Sequence, residues 1–145
     1  MEIKSATDLI VYKKACQLAM QIFKTSKRFP LEERYALTSQ IRRSSRSICL
    51  NLREAWAKRR YEAHFISKLT DCDGEANETE SSLDFFRDCQ YMSIKEHEEL
   101  ASLCKEIGSM LACIIHENYI FIHKYFKANG FEISTRPSAD GLAQG

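Results

Sequence analysis

Apolar residues recur every three to four positions along four long stretches of this chain. In the first, Tyr12, Ala15, Ala19, Ile22, Phe23 and Ser26 share one face and predict a helix from Asp8 to Arg28, with Thr7 and Asp8 as capping residues. Phe29-Pro30 ends it, because proline lacks a donor and turns the preceding residue away from helical geometry. A second helix is expected from Pro30 or Leu31, with Glu32 and Glu33 at the positive end of its dipole. Its stripe is Leu37, Ile41, Ser44, Ile48, Leu52 and Ala55, and it ends in Lys58-Arg59-Arg60. The third stretch is the most regular. Phe65, Leu69, Cys72, Ala76, Thr79, Leu83 and Phe86 alternate spacings of four and three, a heptad seam. Gly74 lies within it and is expected to let a neighbouring helix approach closely. A fourth helix starts near Ile94, with Leu100, Leu103, Ile107, Met110, Ile114 and Phe121 as its stripe.

Four such helices joined by short loops predict an all-α fold, an antiparallel up-down-up-down four-helix bundle over residues 1–129. The segment 130–145 has too few apolar residues to pack and is expected to be a flexible tail. The second half of helix four, CIIHENYIFIHKYF, is apolar on more than one face. A helix that only closes a monomer keeps a polar outer face. Ile115, Tyr119, Ile120 and Phe126 are therefore expected at an interface between copies; a wider contact within one chain is the alternative.

Composition narrows the class. The 145 residues suit one domain, and three of the five glycines lie in the last sixteen residues, which leaves the body almost free of turn signals. There is no apolar run of about 18 residues, so no membrane span is expected. The polar start MEIKSATD carries no signal region, which points to the cytoplasm. Six scattered cysteines include no C-x-x-C pair and read as core or flanking residues. Glu62-Ala63-His64 and Glu96-His97 lack the Glu-x-x-His spacing of a di-iron bundle, and His116 and His123 read as a polar patch or an interface. Ser44, Ser45 and Ser47 have no His and acid placed beside them, and no phosphate-cradling glycine loop occurs. The expectation is a non-enzymatic protein with no metal or cofactor.

Charge changes the picture most. From Lys24 to Arg60 eleven Lys/Arg stand against three Asp/Glu; from Tyr61 to Leu100 the counts reverse to three and eleven. The net charge of +1 conceals both blocks. On helix two, Arg42, Arg46, Arg53 and Arg60 fall within about 40° of one another, with Arg43 about 100° away. Such a ladder can contact successive phosphates, or pair with Glu75, Glu78, Glu80 and Asp84 of the acidic helix. Lys58, Arg59 and Arg60, flanked by Trp56 and Tyr61, can stack and bind bases or anchor a loop. An isoelectric point near 7.6 is low for a nucleic-acid-binding domain. Gln40, Asn51 and Glu54, with Glu78 and Glu80, are expected to fix helix register by hydrogen bonding.

The run FPLEERYALTSQIRRSSRSICLNLREA, Phe29 to Ala55, resembles the signature of the bacterial four-helix-bundle proteins encoded within 23S rRNA intervening sequences. Phe29, Pro30, Glu33, Tyr35, Leu37, Gln40, Ile41, Arg42, Arg43, Ser47, Ile48, Asn51 and Glu54 match it, as do Gly74, Glu78, Glu80 and Leu83 further on. Arg53 stands where the family usually has Ala, and Ala55 where it has Gly. The resemblance implies an antiparallel four-helix bundle that forms homopentameric rings. It extends to the accessory proteins of diversity-generating retroelements, which bind nucleic acid and a reverse transcriptase. The expected function is a self-assembling module associated with RNA or DNA through the basic face of helix two. The alternative is a protein–protein scaffold without nucleic-acid affinity.

Overall fold

The computed structural model describes residues 3–128, with side chains described through 118. Among the described residues there are four α-helices and no strand: α1 (Ile10–Ser26), α2 (Leu37–Ala57), α3 (Glu62–Asp88) and α4 (Ile94–Ala128). Each packs on two neighbours in the ring order α1, α2, α3, α4. Paired positions run in opposite senses throughout. Ser26 meets Arg42 and Tyr12 meets Arg53; Arg43 meets Glu78 and Glu54 meets Lys68; His97 meets Asp84 and Cys104 meets Ala76. Lys14 of α1 reaches Glu106 of α4 and closes the ring. The chain is thus the antiparallel four-helix bundle that its periodicity predicts.

The core follows the predicted stripes of α2 and α3 closely. Ile41, Ser44, Ile48, Leu52 and Ala55 face Leu69, Cys72, Ala76, Thr79, Leu83 and Phe86, all buried. Within this layer the hydroxyls of Ser44 and Thr79 share a 2.8 Å hydrogen bond and satisfy each other across the two helices. On α1 the buried face is turned from the expected one. Val11 and Leu18 join Ala15, Ala19 and Ile22 inside, while Tyr12 and Phe23 are only half-buried at the flank beside α2. Ala101, Cys104 and Leu111 add to the buried face of α4.

Several boundaries differ from expectation for local reasons. α1 starts at Ile10, not Asp8, because Ala6–Asp8 form a separate 3-10 turn. The Asp8 carboxylate accepts the Lys4 and Ser5 amides at 2.9 and 3.0 Å, which holds its pKa low. Leu31–Glu33 likewise form a 3-10 turn, and α2 begins only at Leu37, whose amide donates to the Glu33 carboxylate. α2 ends at Ala57, so Lys58, Arg59 and Arg60 lie in the turn to α3. A methyl group at Gly74 would meet nothing within 4 Å, so that glycine does not serve a close helix approach.

One end of the bundle is closed by aromatic packing. Phe29 stacks on Phe86 at 4.2 Å between centroids, and Tyr91 packs against both. The Tyr91 hydroxyl donates to Glu33 at 3.2 Å, joining the α3–α4 loop to the α1–α2 loop. Arg28 pairs with Glu96 at the same end. α3 stops there in a left-handed residue, Gln90 (φ 61°). The Tyr91 amide bonds back to the Phe86 carbonyl and the Gln90 amide to Arg87, which satisfies carbonyls the helix end leaves open.

At the other end α4 outruns its partner. The register that sets His97 by Asp84, Cys104 by Ala76 and Gly108 by Asp73 brings 119 opposite Glu62, the first residue of α3. Residues 120–128 therefore continue as helix past the start of α3. Segment 130–145, expected as a tail, lies outside the described residues.

Candidate functional site

The arginines of α2 divide between two sides of the helix. Arg42, Arg46 and Arg53 lie along α1. Their guanidinium carbons sit 5.2 and 5.7 Å from the Phe23 ring centre and 5.2 Å from that of Tyr12, respectively. Two are fixed further: Arg42 Nε donates to Ser26 Oγ at 2.7 Å, and Arg53 Nε to the Tyr12 hydroxyl at 2.9 Å. Positive charge over a ring face is held by the ring quadrupole, and the fork nitrogens stay available. Among the described residues none of these three makes an ion pair with a carboxylate.

Arg43, one helical step round, meets the acidic helix instead. Its Nη2 lies 2.7 Å from both Glu78 oxygens and its Nη1 3.3 Å from Glu75. The pairing raises the Arg43 pKa and holds that of Glu78 below the usual carboxylate range. The two alternatives open for the basic block thus fall to different residues: Arg43 takes the ion pair, and Arg42, Arg46 and Arg53 take the aromatic seam. Arg59 folds over Trp56 at 4.3 Å and donates to its carbonyl, while Lys58 and Arg60 are exposed in the turn.

The outer face of α2 and the turn before it form an open groove of about 470 Å³. Arg34, Arg42, Arg43 and Arg46 supply its charge, Ser39 and Ser47 its hydroxyls. Tyr35 and Leu50, 88% and 61% exposed, supply apolar surface, and Arg34 stands over the Tyr35 ring at 5.4 Å. Arg34, Tyr35, Ser39 and Leu50 were not singled out as binding residues from the sequence. Their signal is the spacing 35, 39, 42/43, 46, 50, one helical face that the apolar-stripe reading passes over.

The polar residues expected to fix register are placed individually. Gln40 donates to Glu78 across α2–α3 at 3.3 Å, Glu54 takes Lys68 at 2.8 Å, and Glu80 lies 3.8 Å from Lys105 of α4. Asn51 turns back on its own helix and donates to the Ser47 carbonyl. Ile115, expected between copies, is half-buried against the bundle's own core; Tyr119, Ile120 and Phe126 lie beyond the described side chains. Among the described residues no group of three or more His, Cys, Asp or Glu could hold a metal ion. No helix there is long and apolar enough to cross a membrane.

These features define an antiparallel four-helix bundle with a basic, partly aromatic outer face on its second helix. Residues 7–113 match the family model of the 23S rRNA-intervening sequence protein. The chain belongs to that family. It is also similar to a crystal structure of a protein with unknown function from the S23 ribosomal protein family of Bacteroides thetaiotaomicron. The two are 32% identical with a TM-score of 0.67, over 74% of this chain and 96% of that one. Among curated protein sequences none matches the chain.

Proposed function

We propose that this protein is a structural module, not a catalyst, that binds single-stranded RNA or DNA along the α2 groove and works as a self-assembled ring, five copies being the number the family resemblance implies. The observation that carries the reading is the groove's charge. Arg34, Arg42 and Arg46 face it without a carboxylate partner among the described residues, and two of them are pre-ordered over Phe23. Pre-ordered guanidinium groups lose little side-chain freedom on meeting phosphate oxygens. Exposed Tyr35 and Leu50 beside them suit unstacked bases, which favours a single strand over a duplex. Arg53 and the Lys58–Arg60 turn extend the same basic surface. Self-assembly is supported by residues 120–128, IFIHKYFKA, a sequence rich in apolar residues on a helix that runs past α3. A ring would multiply weak single-subunit contacts. A cytoplasmic setting belongs to the same reading.

The test is fluorescence anisotropy with a mixed-sequence RNA oligonucleotide, with the mass of the same sample measured by light scattering. Binding is expected at about 50 mM salt and is expected to weaken steeply as salt rises, since phosphate contacts release counterions. Arg34→Glu with Arg46→Glu is expected to lower affinity at least about tenfold, with helicity unchanged. No binding by the wild-type chain at low salt removes the nucleic-acid reading and leaves the protein scaffold. A mass equal to one 16.8 kDa chain removes the ring.

A further inference from the structure

Between α1 and α2, one turn from the Tyr12–Arg53 contact, the thiols of Cys16 and Cys49 stand 3.5 Å apart, Sγ to Sγ. Both are free and half-buried. The other four cysteines are arranged differently. Cys72 and Cys104 are buried with their sulfurs on the carbonyls of Ile48 and Ala76, and Cys89 and Cys113 are exposed at separate points. A disulfide places its sulfurs about 2.05 Å apart, so closure here asks for an approach of about 1.5 Å, a displacement that side-chain rotation can supply.

We propose that Cys16 and Cys49 are an oxidation site that closes into an intrachain disulfide when a hydroperoxide reaches the seam between α1 and α2. One of the two thiols gives up its proton as its sulfur attacks one peroxide oxygen; the O–O bond breaks, the departing hydroxide takes that proton to become water, and the attacking cysteine becomes a sulfenic acid. The sulfur of the other cysteine then displaces hydroxide from the sulfenic sulfur, the S–S bond forms, and the hydroxide takes the second thiol proton to leave a second water. Two thiols are oxidised and one hydrogen peroxide is reduced to two waters.

Burial, and after it the hydrogen bond with Cys16, pushes the Cys49 thiol up to about 12. The charge of Arg53, one turn along α2, acts on both sulfurs. Closure would fasten α1 to the helix that carries the arginine groove, through a loop spanning 33 positions of sequence.

The test treats the reduced, native chain with hydrogen peroxide near neutral pH, alkylates the remaining thiols and maps the peptides by mass spectrometry. The expected product has lost two hydrogens and contains a peptide pair joined through Cys16 and Cys49. Its melting temperature is expected to rise by on the order of 10 °C, reversed by dithiothreitol, because a cross-link of this span restricts the unfolded chain. Cys49→Ser is expected to abolish both changes. Recovery of Cys16 and Cys49 as alkylated thiols, with oxidation confined to Cys89 and Cys113, overturns the proposal; so does a Cys49–Cys72 bridge. The mapping is read on the wild-type chain, so the decision stands even where the variant folds poorly.

Discussion

Arg43 reaches both carboxylate oxygens of Glu78 on the surface of this bundle, and the contact sets a pH dependence. Glu78 has its carboxyl lowered first by the Arg43 hydrogen bonds; Glu54 is lowered by Lys68, and Glu96 by the Ser93 amide and then Arg28. A carboxyl lowered in the folded chain adds stability that is complete above the ordinary glutamate value of about 4.3 and is lost as pH falls through the folded value. The urea midpoint is therefore expected to drop between about pH 5 and pH 3. Glu78→Gln is expected to lower the midpoint at neutral pH and to flatten that descent; a descent as steep as wild type would show that the pair contributes nothing. The sequence displays both charge blocks but not which arginine meets which helix. One residue is a 100° step, so Arg42 and Arg43 face different neighbours. The aromatic seam was hidden for a related reason. Tyr12 and Phe23 count as apolar in a periodicity, yet their rings lie half-exposed under guanidinium groups at the flank.

Among the elements, α4 has the best-defined start. Ser93 Oγ accepts the Glu96 amide at 3.1 Å, and the Glu96 carboxylate accepts the Ser93 amide at 2.9 Å, a reciprocal capping box. Ser93→Ala is expected to cost about 1 kcal/mol in chemical denaturation, with Ser93→Gly costing less. Equal stability of Ser93→Ala and wild type would mean that the Arg28–Glu96 pair alone holds this end. The S-x-x-E pattern stands openly in the sequence, yet Ile94 draws the eye as the first apolar residue. The heptad seam of α3 was fully legible because all its members face inward between two helices. The start of α2 was not, because proline and two glutamates suit the first turn of an α-helix and a 3-10 turn equally well. The groove was legible only in part, since half its lining comes from the turn before α2 and from exposed residues that no stripe marks.

At the scale of the molecule, both helix–helix loops that carry the aromatic closure lie at one end, and the 58–61 turn lies at the other. That turn holds exposed Lys58, Arg59 and Arg60 and no core residue. The bundle is thus two helical hairpins, α1–α2 and α3–α4, whose mutual contact is supplied by the buried α2–α3 layer, the α1–α4 contact and the Phe29–Phe86–Tyr91 closure. Residues 1–59 and 60–145 produced as separate chains are expected to co-purify as one helical complex. Recovery of either half alone as a stable helical species would show that the hairpins do not depend on each other. Covalent continuity at 58–61 then matters little for the native state and mainly raises the local concentration of one hairpin near the other. The protein behaves as a dimer of unlike halves written in one reading frame, and a split reporter inserted at that turn would register its assembly by fragment complementation.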